Sequence, residues 1–347
     1  GGGIEKVLGV NASPNTIDGL LSTEGSLVVG FNNSQVMRVK LSQAAKSGAK
    51  VILINPEGYE QDHFAFAYKT VYTQNDLSYL QSIAKVLTDM GKGTGVEGYE
   101  EFAKSVATAE VTDEIKEIAE LYANAKKAMI VFQQNLVSVE AATLLADIAV
   151  VSGHIGKARD GIVQSKAKNN SQGLLDLGIT AGAEAMDGVK ALLVFGEDVN
   201  PELLKDVEFM MVCDTHMTET ARRADVVIPG TGFASADGTY TNTERRLQAV
   251  EHAIEEEVVF NNWEVAAEIA NVYEVEMPYD DEADIAEEMD CTVPVYREAV
   301  IGEVHGAVLA CKDAKLVAVA AGKFVDPPKC TDNLTNMIEA RLPKCEK

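Results

Sequence analysis

The sequence predicts an α/β protein organised around two βαβ units. In residues 24–57 an apolar strand (26–29) is followed by a helical pattern and a second buried strand. Residues 189–214 repeat this order of strand, turn, short helix and strand. Strand, helix and strand within about 30 residues is typical of a parallel pair joined by a right-handed crossover. We therefore predict two Rossmann-like units related by rough internal symmetry.

Length and composition fit a globular chain with two or three subdomains. The 347 residues are 46% hydrophobic and 24% charged, which is ordinary for such proteins. No apolar run approaches the roughly 20 residues that span a bilayer, and the first residues lack a signal-peptide pattern. These features predict a cytoplasmic location. The start on three glycines rather than Met predicts a processed product or a piece of a longer protein.

The charge balance limits the classes of partner. The formal net charge is −24, from 54 acidic and 30 basic side chains. Such a surface repels nucleic acid phosphates and anionic membranes. Partners are therefore expected to be neutral, or basic where they make contact.

The cysteines do not predict a metal centre by their spacing. No C-x-x-C pair occurs, and no histidine lies beside them at metal-ligand spacing. We predict buried or incidental thiols in a reducing compartment. A site assembled from the C-terminal positions stays open as an alternative. The five cysteines are Cys213, Cys291, Cys311, Cys330 and Cys345.

In the first half, Gly30 follows the first strand at its carboxyl end, where open α/β sheets bind ligands. The Gly153–Ile162 stretch is a glycine-rich loop with one histidine, His154, for which the sequence shows no carboxylate or metal partner. The other predicted elements are helices over 76–90, 99–106 and 113–124, a strand over 128–132 and a helix over 139–151.

In the second half, Phe195-Gly196 ends a strand and leads into Glu197 and Asp198. Neither this turn nor the Gly30 turn is G-x-G-x-x-G, so an ordinary dinucleotide site is not predicted. A strand (209–213), a short helix (218–223) and a strand (225–229) then precede a long polar loop. Its glycines at 230, 232 and 238 permit close approach of a ligand or another chain, and a tied-down surface loop is the alternative.

The C-terminal part is predicted to be irregular. A helix is expected over 263–273, and the acidic run 280–290 is typical of a solvated face or an exposed connection. Weaker patterns predict a strand over 316–319, a break at Pro327-Pro328 and a short helix over 334–340. We therefore predict three regions: a first α/β domain (1–178), a second α/β domain (179–256) and an acidic extension (257–347).

With these elements placed, several motifs resemble those of the molybdopterin oxidoreductase superfamily. The run DTHMTETARRADVVIPG with ASADGTYTNTERRLQ is similar to its most recognisable signature. GHIGKARDGI, NNSQGLLDLG, FGEDVNPE and QAAKSGAKVILINPE resemble four further motifs, in the family's order, across about residues 8–250. The matching signature positions are Asp214, Thr218 to Ala221, Ala224-Asp225, Pro229, Gly238-Thr239, Asn242, Glu244, Arg246 and Gln248.

The chain departs from the family at positions tied to chemistry. The family's metal-binding Cys, selenocysteine or Ser and its iron–sulfur cysteine motif precede the matched region and are not in this sequence. Gln133-Gln134-Asn135 stand where the family has a glycine-rich turn, and would crowd a pterin. Asn55-Pro56-Glu57 replace Asp-Pro-Arg, which puts an anion where a cation is usual. The covering C-terminal β-barrel is also expected to be missing after residue 256.

Such losses resemble the large iron–sulfur subunit of respiratory complex I, which keeps the fold without molybdenum. Similar subunits occur in soluble NAD-dependent hydrogenases, formate dehydrogenases and electron-bifurcating ferredoxin:NAD oxidoreductases. The resemblance implies a structural platform in an electron-transfer complex, without catalytic or metal-binding residues of its own. Iron–sulfur clusters and flavin are expected in an N-terminal part or in flavin/NAD-binding and iron–sulfur partner subunits.

Two alternatives remain open. The first is a fragment of a catalytic molybdenum or tungsten formate dehydrogenase α subunit that binds bis-molybdopterin guanine dinucleotide. In that case carboxylates would accept guanine N–H groups and glycine turns would admit phosphates. The second is a redox-inactive scaffold or assembly protein. The residues that would line the two nucleotide ends are Gly30, Asn32, Gly196, Glu197, Asp198, Asp214, Thr215 and Asn242.

Overall fold

The computed structural model describes residues 2–31, 34–59, 64–180, 183–256, 259–304 and 314–319. They group into two compact units. The first unit contains Gly1–Leu175, Thr241–Arg246 and the described residues of Glu303–Lys329. The second contains Asp176–Tyr240 and Leu247–Gly302. The three domains at 1–178, 179–256 and 257–347 remain a prediction. The grouping into two units differs from it, because residues 259–302 belong to the second unit.

The first unit is built on a parallel five-stranded sheet of order β3-β2-β1-β4-β5. This is the strand order of one side and the centre of a doubly wound Rossmann sheet, with its switch point between β1 and β4. The sequence predicted β1, β2 and β4 but missed the two edge strands, which are short and mixed in polarity. The strands are β1 (Gly25–Val29), β2 (Lys50–Pro56), β3 (Lys69–Thr73), β4 (Ala128–Gln133) and β5 (Gly161–Ser165).

Four helices of the first unit begin at a side-chain cap of a residue type that favours this position. Ser34, Asn75, Thr112 and Ser138 each accept a backbone N–H from the first turn of the helix that follows, as N-cap residues do. The predicted helices are confirmed within one or two residues, whereas the N-terminal helix was not predicted. The helices are α1 (Gly3–Leu8), α2 (Gln35–Lys46), α3 (Asp76–Asp89), α4 (Tyr99–Val106), α5 (Asp113–Asn124), α6 (Val139–Ser152) and α7 (Ser171–Asp176).

Two apolar layers cover the two faces of this sheet. Leu27 and Val29 of β1 face the layer that includes α1, α3, α4, α5 and α6. Val28 faces the layer that includes α2. Burial on both faces explains why the central strands are continuous apolar runs. The buried face of α2 is Met37, Leu41 and Ala44, while its apolar residues Val36 and Val39 are exposed.

Residues 314–319 lie against the first layer without forming the strand predicted at 316–319. Lys315 N–H donates to Val7 O at 3.0 Å and Leu316 N–H donates to Glu97 O at 2.9 Å. The donors thus bond to a helix end and a loop rather than to a sheet edge, so the strand prediction is wrong. Pro327-Pro328 and the helix predicted at 334–340 lie outside the described residues.

The second unit contains a parallel three-stranded sheet of order β6-β7-β8. The helix predicted over 218–223 is only a 3₁₀ turn at Ala221–Arg223. The long polar loop is not wholly irregular, since it contains two short paired strands. The acidic run 280–290 is exposed, as predicted, but largely helical. The elements are β6 (Ala191–Phe195), β7 (Phe209–Asp214), β8 (Val226–Pro229), β9 (Gly238–Thr241), β10 (Leu247–Val250), α8 (Asn262–Val272) and α9 (Glu282–Thr292).

Candidate functional site

The Gly30 turn lies at the switch point of the first sheet, where a ligand is expected. Gly30 has a φ of +54°, and a Cβ there would lie 2.7 Å from Val137 Cγ2 and 3.2 Å from Leu136 O. Gln133 N–H also donates to Gly30 O at 3.2 Å. The chain that follows β4 therefore packs on this glycine and occupies the space that its missing side chain leaves.

Asn55, in the altered Asp-Pro-Arg motif, holds the loop after β1 in place. Its Oδ1 accepts Phe31 N–H and its Nδ2 donates to Phe31 O, both at 2.9 Å. Asn55 is buried, and an aspartate could not make the second bond because an ionised carboxylate only accepts. Glu57 accepts the Gln74 amide at 2.6 Å on the surface. The altered motif thus serves the loop's own structure, while neighbouring Asn32 lies outside the described residues.

A polar segment, residues 11–15, borders the edge strand β5, and sequence reasoning missed it. Asn15 Nδ2 donates to Lys157 O and Asp160 O at 2.9 and 3.1 Å, and its Oδ1 accepts Ile162 N–H at 3.1 Å. Ser13 Oγ accepts Gln164 N–H at 2.9 Å. The alternation of Asn11, Ser13 and Asn15 with small residues is a period-two pattern that could have revealed this edge partner.

Gln164 is a buried residue of β5 whose side-chain amide is only partly hydrogen-bonded. Its Oε1 accepts Lys166 Nζ at 2.9 Å. Its Nε2 has no hydrogen-bond partner among the described residues. A buried, unpaired amide is costly, so this atom marks a position where a further polar group would be accommodated favourably.

Asn242 forms the turn of the returning segment Thr241–Arg246. Its Oδ1 accepts Glu244 N–H at 3.0 Å and Arg246 N–H at 2.9 Å. Glu244 in turn accepts Ile17 N–H at 2.6 Å and Arg246 Nε–H at 2.7 Å. The side-chain oxygen of Asn242 is therefore engaged in shaping its own turn, and Glu244 ties the segment to the N-terminal part of the first unit.

In the second unit, the turn after β6 contains a glycine with open space beside it and an aspartate that is hydrogen-bonded to another turn. Gly196 has a φ of +60° and nothing lies within 4 Å of where its Cβ would be. Glu197 follows it in the same turn. Asp198 Oδ1 accepts both the hydroxyl and the N–H of Thr220, the latter at 3.0 Å. The glycine therefore leaves open space, whereas the aspartate clamps the 3₁₀ turn that follows β7.

Asp214 ends β7 and Thr215 follows it. Both lie beside the Gly196 turn, since Gly196 N–H donates to Cys213 O at 2.9 Å. Asp214 Oδ1 accepts His216 N–H at 3.2 Å and the Thr215 hydroxyl at 3.4 Å. The Thr215 oxygen also lies 2.7 Å from His216 Nδ1. The structure thus brings Gly196, Asp214 and Thr215 together at the carboxyl ends of β6 and β7.

Residues 230–237 of the polar loop after β8 pack on the second unit, to which they belong. A Cβ on Gly230 would lie 3.0 Å from Cys213 Sγ and 3.3 Å from Asn262 Oδ1. His252 Nδ1 lies 2.8 Å from Asp237 Oδ2 across the loop, and this pairing raises the pKa of His252. These contacts are those of a surface loop held against the protein, which is the alternative interpretation given for this loop.

His154 has a structural environment, including a carboxylate partner that the sequence did not reveal. Its Nδ1 lies 2.9 Å from Asp160 Oδ1 and its Nε2 lies 3.0 Å from Tyr122 O. Tyr122 belongs to the last turn of α5, whose carbonyls lack helical donors. Asp160 Oδ1 also accepts Ala128 N–H at 2.8 Å. The buried histidine therefore joins the end of α5 to the start of β4.

The described residues contain no group of three or more His, Cys, Asp or Glu side chains that could hold a metal ion. Cys213 is buried and Cys291 exposed, both as free thiols, and burial raises the pKa of Cys213. Cys311, Cys330 and Cys345 lie outside the described residues, so a site built from them is untested. Within the described ranges no helix has the length and apolar character to cross a membrane.

Comparison with known proteins identifies the family. The molybdopterin oxidoreductase family profile matches residues 11–272, so the chain belongs to that family, as its motifs predicted. Formate dehydrogenase H of Escherichia coli (strain K12) is 24% identical over 386 residues, covering 90% of this chain and 54% of that protein. The F420-dependent formate dehydrogenase subunit alpha of Methanocaldococcus jannaschii is also 24% identical, covering 85% of this chain and 54% of that protein.

Two further similarities extend this group. The probable oxidoreductase YjgC of Bacillus subtilis (strain 168) is 24% identical, covering 88% of this chain and 38% of that protein. The formyltransferase/hydrolase complex of Methylorubrum extorquens, solved with methylofuran, has a chain with a TM-score of 0.52 and 13% identity, covering 74% of this chain and 76% of that chain. The latter supports the predicted α/β fold alone. This chain spans about half the length of the two formate dehydrogenases it matches.

The family implies a molybdenum or tungsten pterin cofactor, and the described residues fit it poorly. The space at Gly30 is filled by Leu136 and Val137. Asn55 is engaged with Phe31 rather than facing a nucleotide. In the second unit the turn at Gly196 leaves open space. The filled turn of the first unit is therefore at odds with a pterin bound against Gly30.

Proposed function

We propose that this chain is the molybdopterin-type part of a subunit of a multi-subunit electron-transfer oxidoreductase, where it acts as a structural platform. In this proposal it has lost the pterin cofactor and is not catalytic by itself. Iron–sulfur clusters and flavin belong to an N-terminal part or to flavin/NAD-binding and iron–sulfur partner subunits. The family membership and the formate dehydrogenase relatives support a role in an oxidoreductase.

The packing of the loop after β4 onto Gly30 carries the platform proposal. In an open α/β sheet the ligand enters at the switch point, which here lies between β1 and β4. Val137 Cγ2 lies within 2.7 Å of the position a Gly30 Cβ would take. In this proposal a pterin or nucleotide placed against Gly30 would have to displace this loop, at the expense of the buried contacts of Leu136.

The second candidate is a fragment of a catalytic formate dehydrogenase α subunit. The relatives of that name favour it, as do the open Gly196 turn and the unpaired Gln164 amide. A bound cofactor would give that amide an acceptor. A redox-inactive scaffold is the third candidate.

Metal analysis of the native complex tests the proposal. The complex would be purified under anaerobic conditions through a tag on this chain, and molybdenum, tungsten and iron would be measured by plasma mass spectrometry. We expect less than about one tenth of a molybdenum or tungsten atom per chain, together with several iron atoms per complex. A stoichiometric amount of either heavy metal would refute the platform and establish the second candidate.

A scaffold differs from a platform in the cofactors that accompany it. If the purified complex contains neither iron nor flavin, the electron-transfer role is wrong and the scaffold is favoured. Release and detection of pterin by acid oxidation provides an independent check, since metal can be lost during purification while the oxidised pterin remains detectable.

A further inference from the structure

The end of α8 presents apolar side chains that nothing in the described second unit covers. Val265 and Ile269 of α8 pack on Met211 and Cys213 of β7. The same helical stripe continues three and four residues later to Val272 and Tyr273. These two side chains are 78% and 77% exposed. The inner stripe of the helix therefore extends beyond the part of the sheet that it covers.

The sheet face beneath α8 is also incompletely covered. Leu193 and Val226 are the register partners of Met211, so the three side chains share one face. Leu193 and Val226 are 44% and 42% exposed. Parallel sheets normally have helices on both faces, and α8 supplies only part of that layer. The missing element of this layer is therefore a helix.

The turn after α8 holds its exposed residues in a fixed position. Val275 N–H and Tyr273 N–H both donate to Ala270 O, at 3.0 and 2.9 Å, which closes the helix end. Trp263 Nε1–H donates to Glu282 Oε1 at 2.8 Å, so the start of α8 is bonded to the start of α9. The exposed apolar residues thus lie on an ordered helical hairpin.

The charge around this turn indicates the partner's chemistry. Residues 272–290 carry nine carboxylates and no lysine, arginine or histidine. Among the described residues these carboxylates accept hydrogen bonds from neutral donors such as the Trp263 indole and the Tyr279 hydroxyl, so their negative charge is not neutralised. A second copy of this chain would bring the same charge and be repelled. A basic partner is attracted.

We propose that the α8 turn (Val272, Tyr273, Val275 and Met277) docks an amphipathic helix of a partner subunit, with its apolar side on the turn and basic residues facing the α9 carboxylates. A helix is the element that the uncovered sheet face requires, and basic residues are what the carboxylates attract. The docking surface contains neither the Gly30 nor the Gly196 turn, and its role does not depend on whether a redox cofactor is bound.

The probe is a fluorescein-labelled 18-residue peptide of leucine and lysine at helical spacing, titrated with the full chain. In the test variant Val272, Tyr273, Val275 and Met277 are replaced by serine. The matched control replaces four exposed apolar residues of the first unit by serine, namely Val36, Val39, Tyr68 and Leu174, and preserves the charge equally. Fluorescence anisotropy gives the Kd, and circular dichroism confirms that each variant retains its helix content.

We expect the test variant to bind at least tenfold more weakly than the natural chain, and the control to bind equally well. Hydrogen exchange with bound peptide should protect backbone amides in residues 262–292. Equal binding by all three proteins, or equal binding of a lysine–serine peptide, would reduce the interaction to general charge attraction and overturn the proposal. A concentration-dependent dimer that the test variant abolishes, measured by sedimentation without peptide, would instead identify a second copy as the occupant.

Discussion

At the scale of single residues, glycines with similar backbone conformations serve different purposes. Gly30 and Gly196 each follow a strand and have φ values of +54° and +60°. The sequence shows both as strand-ending turns next to a phenylalanine. Only the structure reveals that Gly30 is enclosed by Leu136 and Val137 whereas Gly196 is open. The two positions are therefore a matched pair for separating backbone strain from packing.

We predict that Gly30→Ala destabilises the fold more than Gly196→Ala. The left-handed conformation costs an alanine about 1–2 kcal/mol at either position. At position 30 the clash with Val137 adds about 1–3 kcal/mol. Chemical denaturation followed by circular dichroism gives the free energies of unfolding. Adding Val137→Ala to Gly30→Ala should recover part of the loss, and equal losses for the two single variants would contradict the account of the filled turn.

Asp147 is a buried carboxyl on α6 whose ionisation opposes folding. Burial raises its pKa to about 8, although the Val317 N–H bond lowers it in part. Its Oδ2 has no partner among the described residues. Since an unfolded aspartate has a pKa of about 3.9, the folded chain retains this proton at pH values where the unfolded chain has lost it. Between about pH 4 and 8 this group therefore lowers stability as pH rises.

We predict that Asp147→Asn stabilises the chain at pH 8 and flattens the fall in stability between pH 5 and 8. Each unit of pKa shift removed corresponds to about 1.4 kcal/mol of unfolding free energy gained. The buried amide N–H of the new asparagine lacks a partner and offsets about 1–3 kcal/mol of this gain. Unfolding would be measured by urea titration at several pH values. Asp187→Asn, at an exposed position, controls for the change in net charge. Parallel pH profiles of stability for Asp147→Asn and the natural chain would show that Asp147 does not cause the fall in stability.

At the scale of elements, the edge strand β5 is protected by side chains rather than by another strand. Residues 11–15 bond to its backbone through Ser13 and Asn15. This arrangement satisfies donors that an exposed edge would leave to water or to another chain. It also explains the failure to predict β5, because its sequence GIVQS contains polar residues whose burial depends on a segment about 150 positions away.

We predict that Asn15→Ala destabilises the first unit by about 2–4 kcal/mol, since buried donors and acceptors lose their partner. Asn15→Asp should be similarly harmful, because a carboxylate cannot donate to Lys157 O and Asp160 O. Thermal unfolding by circular dichroism provides the measurement. Asn124→Ala, at the exposed end of α5, is the control and is expected to change stability by less than about 0.5 kcal/mol.

At the scale of the whole molecule, acidic residues dominate the long-range electrostatics. The formal charge of −24 makes the compact state repel itself. The salt bridges of the described chain are mostly exposed pairs, such as Lys69 with Glu117, and exposed pairs contribute little. The net charge, which is known from the sequence alone, therefore predicts how salt affects stability, just as it predicts the class of partner.

We predict that raising NaCl from 20 to 300 mM increases the melting temperature. The shorter Debye length screens the repulsion between carboxylates. A gain of about 1 kcal/mol in the free energy of unfolding raises Tm by about 2–4 °C in chains of 150–250 residues. Differential scanning calorimetry would record the shift, and choline chloride at equal ionic strength would separate screening from sodium binding. A melting temperature that falls with both salts would show that attractive pairs outweigh the net repulsion.

The sequence by itself determined the family, the two parallel α/β units and most of the helices. These follow from local signals: apolar runs, cap residues such as Thr112 and Asn75, and ordered motifs. The tertiary structure alone decided that Leu136 and Val137 fill the Gly30 turn, that Asn15 borders β5 and that Asp147 is buried. Each of these depends on residues far apart in sequence meeting at contact distance, and a linear pattern does not encode that proximity.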